Sequence, residues 1–266
     1  MRIIVCIKQV PDHEGPRDAF VINSEKNCVE PKGIPPVLSL FDENALEAAL
    51  RIKDTVGKAV KVTVLSIGKR VANAVMMKAM AAGADELIKV ENPAFDSENL
   101  DSHLTAMLLS KAIKKTGGWD LVLAGRQASD WNLGQTGIYL AGNLNVPCIT
   151  LAQKINVENG MVIVESVRPN GKDVMKCALP AVVMVSNELG ELRYPAMKER
   201  RDAKNKPVIA WNAGDIGFEG DLEKRIILKR LYQPQLERAQ CRIISGNSPA
   251  EAGRNLAVRL REDNVI

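Results

Sequence analysis

Aromatic residues and histidines are scarce in this sequence. Aromatics make up 4% of the 266 residues, and His13 and His103 are the only histidines. A nucleic-acid-binding surface usually combines a basic stripe with aromatic side chains. Here basic and acidic residues alternate along the chain, and the formal net charge is only +4. We therefore expect no nucleic-acid partner.

Paired cysteines and long apolar runs are also missing. The apolar run at residues 3–7 is much shorter than a signal peptide or a membrane span requires. None of the cysteines forms a CxxC pair or lies in a spacing typical of metal ligands. The five cysteines are Cys6, Cys28, Cys148, Cys177 and Cys241. We expect free thiols in a reducing compartment, no metal site and no membrane insertion. The expected location is cytoplasmic, or a matrix-like compartment where organelles exist.

Motifs of hydrolytic catalysis are absent as well. The sequence contains no G-x-S-x-G elbow, no H-E-x-x-H pair and no paired-carboxylate motif. His103 begins a helical pattern, where a surface position is a simpler interpretation than a catalytic base. Asp42 directly precedes the helical pattern at Glu43 and is most simply interpreted as a helix N-cap. We therefore predict no catalytic residue.

What the sequence does contain is an alternation of strand-like and helix-like segments. Continuous apolar runs are typical of strands covered on both faces, as in a parallel sheet. They occur at residues 3–7, 60–65, 121–123 and 181–185. Helical spacing of apolar residues occurs at residues 43–53, 71–82, 104–113 and 138–144. This order predicts an α/β fold, with a doubly wound, mostly parallel sheet and helices on both faces.

Two segments depart from the alternation. Residues 161–179 hold two strand-like runs joined by a loop that contains Asn170 and Gly171, which predicts an antiparallel hairpin excursion. Residues 186–207 are polar and charged, and we expect a long surface excursion there.

The C-terminal region predicts a helical arm. Ser248 at the N-cap and Pro249 at the first position mark the start of a helix that continues to about Asp263. We predict two parts of the chain: an α/β nucleotide-binding domain over residues 1–207, and a C-terminal extension and arm over residues 208–266 that packs on a partner.

A glycine-rich loop follows the third predicted strand. Residues 125–137, with the sequence GRQASDWNLGQTG, lead from this strand into a helical pattern. Glycines allow backbone N–H groups to approach an anion, and a helix N-terminus favours negative charge. The loop matches neither G-x-G-x-x-G nor a Walker loop. These residues alone do not distinguish an ordinary strand-to-helix turn from a phosphate-binding loop.

Six ordered stretches cover nearly the whole chain. They are IIVCIKQVPD, FDENALEAALRIKD, VTVLSIGKR, MAAGADELIKV, DLVLAGRQASDWNLGQTG and VESVRPNGKDVMKCALPAVVMVSNELGELRYPAMKERRDAKNKPV. Together they resemble the β subunit of electron transfer flavoproteins, and the terminal PAEAGRNLAVRLREDNVI is similar to the C-terminal arm of that family.

The resemblance implies an electron carrier and not an independent enzyme. In the family, an α subunit holds FAD on a mobile domain and exchanges electrons with an acyl-CoA dehydrogenase or a similar flavin dehydrogenase. The β subunit holds an adenine nucleotide, which is AMP in the simple branch. In the electron-bifurcating branch, which uses NADH, it is a second FAD. The resemblance does not decide whether the nucleotide of this chain is AMP or FAD.

The resemblance also assigns roles to individual residues. Cofactor contacts are implied for Cys6, Ser39, Leu40, Phe41, Asp42, Ser66, Ile67, Gly125, Arg126, Gln127, Ala128, Ser129, Asp130, Trp131, Asn132, Leu133, Gly134, Gln135 and Thr136. His13 and Phe41 match positions that approach the partner's flavin, and Glu165 matches an acid near the subunit boundary. Residues 191–200 resemble the recognition loop that docks the dehydrogenase. Its candidate residues are Glu191, Leu192, Arg193, Tyr194, Met197 as apolar anchor, and Lys198.

Two positions differ from the family pattern. Ser39 and Leu40 stand where many members have Asn-Pro, and Trp131 stands where a small or acidic residue is common. Two other interpretations remain from the sequence: a stand-alone, stress-type adenine-nucleotide-binding α/β protein, and a structural subunit with an empty site.

Overall fold

The chain folds into two compact units in the computed structural model, which describes residues 1–57, 59–96, 99–234 and 241–266. The first unit is Met1–Leu231 and the second is Tyr232–Ile266. Residues 235–240 of the predicted C-terminal extension lie outside the described residues. The boundary that we expect between residues 207 and 208 stays a prediction.

A nine-stranded sheet forms the centre of the first unit, in the order β11-β10-β9-β12-β8-β1-β6-β7-β13. The strands are β1 (Arg2–Cys6), β2 (Gln9–Pro11), β3 (Phe20–Asn23), β4 (Cys28–Pro31), β5 (Pro36–Leu38), β6 (Lys61–Gly68), β7 (Glu86–Glu91), β8 (Leu121–Gly125), β9 (Cys148–Glu158), β10 (Met161–Arg168), β11 (Gly171–Ala178), β12 (Ala181–Val185) and β13 (Val208–Trp211). In this spatial order, the seven neighbouring strands β9-β12-β8-β1-β6-β7-β13 pair parallel. The strands β9, β10 and β11 pair antiparallel with one another. The pairs β2–β5 and β3–β4 form two small antiparallel sheets.

Helices cover both faces of this sheet. They are α1 (Leu40–Val56), α2 (Asn73–Ala82), α3 (Ser102–Lys115), α4 (Thr136–Leu144) and α5 (Met197–Asp202). Alternate residues of a strand point to opposite faces. In β1, Ile3 and Val5 join the core cluster that contains α1 and α2, whereas Ile4 and Cys6 join the cluster of α3 and α4. The predicted doubly wound α/β fold is therefore confirmed.

The departures from strand–helix alternation are also found in the structure. The hairpin predicted at residues 161–179 is the β10–β11 pair, and β9 adds a third antiparallel strand that the sequence pattern did not predict. The excursion at residues 186–207 contains the short helix α5. The strand β13, which the sequence pattern did not predict, forms the far edge of the sheet.

The second unit contains one helix in its described residues, α6 (Pro249–Glu262). The Ser248 side chain accepts a hydrogen bond from the Glu251 N–H, with Pro249 at the first helical position. This is the N-cap that the sequence predicts.

Candidate functional site

The candidate site lies where the neighbouring strands β1 and β8 end. The strands that follow β1 in sequence order, β6 and β7, extend the sheet on one side, whereas β8 is followed on the other side by β12. Such a switch point leaves a crevice beyond the carboxyl ends of the strands, where ligands bind in doubly wound folds. A cavity of ≈1010 Å³ opens there, lined by Cys6 at the end of β1 and Gly125 at the end of β8.

Asp42 connects the ends of these two strands. One carboxylate oxygen accepts the Lys8 N–H at 2.8 Å and the other accepts the Gly125 N–H at 3.1 Å. Burial raises the pKa of Asp42 to about 7, although the hydrogen bonds from Lys8 and Gly125 act in the opposite direction. The N-cap interpretation of Asp42 is wrong, because α1 begins two residues earlier, at Leu40, with Ser39 at the N-cap position.

Gly125 allows α1 to approach β8 closely. A Cβ atom at this position would lie 2.6 Å from both the Phe41 carbonyl carbon and the Asp42 Oδ1. A side chain here would therefore push the start of α1 away from the strand and break the Asp42 bridge.

The loop after β8 is held from several sides. The Ser129 N–H donates to the buried Ser39 hydroxyl at 3.2 Å, and the Lys8 ammonium pairs with Asp130 at 2.6 Å. Two of its residues, Asn132 and Gly134, have positive φ angles of 53° and 67°. Asparagine and glycine are the residue types that adopt this conformation at least cost.

Several buried polar atoms around the loop have no hydrogen-bond partner within the described residues. They are the Ser129 hydroxyl, Arg126 Nε and Gln135 Oε1; the Ser66 hydroxyl, on β6, also has no partner there. No side chain caps the N-terminus of α4, which begins at Thr136. Buried polar groups without partners are rare in folded proteins, and helix N-termini bind anions. The loop therefore offers donors, an acceptor and a positive helix end to a ligand in the cavity.

The cavity wall is strongly basic. Among the described residues that line it, eight are basic and three are acidic. The basic ones are Lys8, Lys26, Lys69, Arg70, Arg126, Lys224, Lys229 and Arg230, and the acidic ones are Asp42, Asp96 and Asp101. A partly enclosed basic cavity attracts anions such as phosphates.

Arg126 joins the cavity to the segment that follows β12. Its guanidinium lies 4.7 Å from the centre of the Phe41 ring and 3.4 Å from the Ser186 hydroxyl. Ser186 in turn donates to Glu188. Arg126 is thus fixed in place, while its Nε has no hydrogen-bond partner in the part of the chain that the structure describes.

The structure brings most of the predicted cofactor residues to one place. Those that line the cavity are Cys6, Asp42, Ile67, Gly125, Arg126, Gln127, Ala128, Trp131, Leu133, Gly134, Gln135 and Thr136. Burial raises the pKa of the Cys6 thiol, so this side chain is a neutral part of the wall. The others are adjacent to these in sequence but outside the lining: Ser39, Leu40, Phe41, Ser66, Ser129, Asp130 and Asn132. Their roles toward a cofactor stay predictions.

His13, predicted near the partner's flavin, and Glu165, predicted near the subunit boundary, lie outside this lining. His13 is exposed beyond the end of β2, and Glu165 lies on β10, paired with Lys154 at 3.4 Å and Lys172 at 2.5 Å. The lysines hold the pKa of Glu165 below its usual range. Their predicted role concerns another subunit and stays a prediction.

The recognition loop is anchored at one end by α1. Arg193 donates to both carboxylate oxygens of Glu47 at 3.0 Å, and its other guanidinium contact is Asp54 at 2.8 Å. Burial alone would raise the pKa of Glu47, but its hydrogen bonds from Arg193 and Arg51 hold that pKa below the usual range.

Beyond this anchor the recognition loop faces outward. Tyr194 is 83% exposed and Met197 is 80% exposed, and the Arg200 guanidinium lies 4.4 Å from the centre of the Tyr194 ring. Leu192 packs against the core, whereas Glu191 and Lys198 are exposed.

Sequence reasoning missed the part of the cavity wall that comes from the C-terminal side of the first unit. Residues 224–230 contribute three of its basic side chains. The clue in the sequence is a run in which basic and aliphatic residues are mixed without an acid, KRIILKRL at residues 224–231.

The described residues contain neither a candidate membrane span nor a candidate metal site. None of their helices has the length and hydropathy needed to cross a membrane. Within the same ranges, no cluster of three or more His, Cys, Asp or Glu side chains is arranged to hold a metal ion.

Comparison with known proteins identifies the family. The model of the electron transfer flavoprotein domain matches residues 29–216. The chain is 35% identical to the electron transfer flavoprotein subunit beta of Thermoanaerobacterium thermosaccharolyticum, and the match covers 100% of both chains. It is 32% identical to subunit CarD of the caffeyl-CoA reductase-Etf complex of Acetobacterium woodii, again over 100% of both. The Megasphaera elsdenii electron transfer flavoprotein subunit beta is 32% identical over 88% of each chain.

These matches span the loop after β8 (residues 125–136, the cavity loop), the segment after β12 and, for two relatives, the C-terminal arm. They favour an electron carrier over the stand-alone stress-type protein. The chain belongs to the electron transfer flavoprotein family, as one of its β subunits.

Proposed function

We propose that this chain binds an adenine nucleotide in the cavity between β1 and β8, and that the nucleotide is FAD. The observation that carries the proposal is the pair of buried donors without a partner within the described residues, Arg126 Nε in the cavity lining and Ser129 Oγ in the same loop, beside the uncapped N-terminus of α4. A pyrophosphate would supply acceptors for the donors and a negative charge for the helix end.

The size of the cavity favours FAD over AMP. Pockets for small ligands usually measure roughly 300–1,000 Å³, and this cavity, at ≈1010 Å³, is at the upper limit. A mononucleotide would leave much of it filled by water. FAD also has a second ring system that can contact the apolar part of the wall, which includes Phe95, Leu109 and Leu140.

The residues of the chain have separate roles in this proposal. Asp42 holds the two strand ends and the start of the loop at a fixed distance, through Lys8 and Gly125. The Ser129 hydroxyl and the first N–H groups of α4 bind the phosphates, and Arg126 adds a cation. Gln135 Oε1 can only accept, so it binds a hydroxyl or amino group of the nucleotide. When bound, the flavin supplies the group that takes up and releases electrons.

We also propose the partners of the chain. An electron transfer flavoprotein α subunit carrying its own FAD is the first, and an acyl-CoA dehydrogenase or similar flavin enzyme is the second. The Acetobacterium woodii relative is named as part of a caffeyl-CoA reductase complex, which supports an acyl-CoA oxidoreductase as the redox partner. The cytoplasmic location expected from the sequence stays a prediction.

Co-expression with the α subunit of the same organism tests this function. We expect a yellow heterodimer with a flavin absorption spectrum that is reduced by an acyl-CoA dehydrogenase and its substrate. A colourless pair that does not associate would contradict the proposal. If the second nucleotide is FAD, NADH should also bleach the spectrum, because a second flavin marks the electron-bifurcating branch.

A further inference from the structure

Residues 224–231 pass along one side of the cavity without forming a helix or a strand. Six of these residues line it: Lys224, Ile226, Ile227, Leu228, Lys229 and Arg230. This segment belongs to the C-terminal extension, residues 208–266, that the sequence predicts to pack on a partner. Its position in the structure also places it at the cavity proposed for the nucleotide.

Two side chains fasten this segment to the rest of the first unit. At one end, Asp101 accepts the Arg225 N–H at 2.6 Å and the Ile226 N–H at 2.9 Å. At the other end, Asn27 donates to the Leu228 carbonyl at 2.7 Å and accepts the Leu231 N–H at 2.7 Å. The segment is therefore held at both ends, with Ile227 between the fastened positions Ile226 and Leu228.

Asn27 is placed for this contact by a hairpin that does not belong to the main sheet. It lies at the turn between β3 and β4, with a positive φ of 53°. Its side chain pairs with one N–H and one carbonyl of the segment, as a neighbouring strand would. These bonds are side chain to backbone, so this contact can open without disrupting the nine-stranded sheet.

The composition of the segment fits a dinucleotide. Four of the eight residues 224–231 are basic and four are aliphatic, and none is acidic. Cations pair with phosphates, and aliphatic side chains cover flat rings. Ile227 is 79% exposed, which leaves apolar surface at the cavity uncovered.

We infer that residues 224–231 form a strap that closes over the nucleotide, and that Asn27 is the positioning residue that holds the strap closed. This inference rests on the proposed function, because it requires a nucleotide in the cavity. The strap adds Lys229 to the phosphates and its aliphatic residues to the rings, and so it prolongs the residence of the nucleotide.

The test compares Asn27→Gly with Asn159→Gly in the purified heterodimer. Glycine tolerates the left-handed conformation at both positions and removes the side chain. Asn159 is a matched control, because it is an exposed asparagine at a hairpin turn with φ 51° and lies outside the cavity lining. Release of nucleotide after dilution is followed by fluorescence. Arg126→Ala removes a proposed nucleotide contact in this cavity, so the kinetic phase that is absent in this variant is assigned to the cavity.

We expect Asn27→Gly to accelerate that phase by about tenfold, because two hydrogen bonds that hold the strap are lost. Asn159→Gly should release nucleotide at the wild-type rate. Both variants should keep the thermal unfolding midpoint of the wild type, within a few degrees.

A double-mutant cycle separates a strap from a purely structural contact. Lys229→Gln alone should accelerate release by about two- to fivefold, because it removes one cation from the nucleotide. In the Asn27→Gly background it should have little further effect, because the opened strap no longer brings Lys229 to the phosphates. Independent, additive effects of the two substitutions would overturn the strap.

The outcomes also separate the strap from the proposed function. Equal release rates for wild type and Asn27→Gly, with nucleotide retained, would overturn the strap and leave the nucleotide site in place. A wild-type heterodimer without nucleotide at this site would contradict the proposed function itself.

Discussion

The loops that follow the neighbouring strands β8 and β12 differ in whether the buried polar groups around them have hydrogen-bond partners within the described residues. The cavity loop, residues 125–136, surrounds buried polar atoms that have no partner within the described residues. The recognition loop, residues 191–200, is anchored near its start by a buried carboxylate of α1, Glu47, which accepts hydrogen bonds from both Arg51 and Arg193. Polar groups without partners inside the molecule predict a ligand, whereas a fixed loop with exposed apolar tips predicts a protein partner.

Breaking the cavity loop should have the largest effect. In Gly125→Ala, the new Cβ meets backbone of α1, which cannot move aside as a flexible side chain does. We expect a loss of about 3 kcal/mol in the free energy of unfolding, measured by urea titration, together with loss of the nucleotide. The control is Gly142→Ala in α4, whose Cβ would meet nothing within 4 Å. It should stabilise the protein by about 0.5–1 kcal/mol, and equal losses for both variants would contradict the close contact at Gly125.

Breaking the anchor of the recognition loop should come next. Glu47→Gln keeps the shape of the side chain but removes the charge that pairs with Arg193 and Arg51. We expect a loss of about 2 kcal/mol in the free energy of unfolding, with unchanged nucleotide content. Glu43→Gln, whose partner Lys78 is largely exposed, should cost less than about 1 kcal/mol. Loss of nucleotide in Glu47→Gln would show that the two loops are not independent.

The pH dependence of stability tests Asp42. Its pKa of about 7 in the folded protein lies above the unfolded value of about 3.9. The folded state therefore holds the proton more tightly, so the stability contributed by protonation is complete below about pH 4 and is lost as the pH rises to about 7. Between pH 5 and pH 8, the free energy of unfolding of the wild type should fall by roughly 2.5 kcal/mol relative to Asp42→Asn. A constant difference across this range would contradict the raised pKa.

The smallest effect on the fold should come from the exposed tip of the recognition loop. Met197→Ala should change the free energy of unfolding by less than about 0.5 kcal/mol, because the side chain is exposed. It should raise the KM for the heterodimer in reduction by an acyl-CoA dehydrogenase several-fold. The control is Val174→Ala, at an exposed apolar residue that lies on β11, away from the recognition loop; it should leave the KM unchanged. A KM that rises equally in both variants would argue against Met197 as an anchor.

The sequence could predict the parts of the fold whose signals are local. Apolar runs such as residues 181–185 are buried on both sides, so their pattern alone identifies strands of a parallel sheet. Asn170 and Gly171 identify the hairpin, because few residue pairs allow such a turn. The strand β13 was missed because it is only four residues long and lies at an edge, where burial is incomplete.

The candidate site was predictable in part. The glycines of the cavity loop are a local signal, although they became specific only through the family resemblance. The role of Asp42 depends on Gly125, a residue 83 positions away, and its neighbours in sequence indicate an ordinary helix start. The contacts of residues 224–231 with Asn27 and Asp101 join positions more than 120 residues apart, so no local pattern could predict them.

Counting the nucleotides released by denaturation of the purified heterodimer tests the central claim most directly, since the cavity between β1 and β8 is proposed to hold FAD. We predict two FAD molecules for each heterodimer, one from each subunit. One FAD plus AMP would retain the site but contradict the proposed nucleotide. One FAD with no second nucleotide would contradict the account of the cavity.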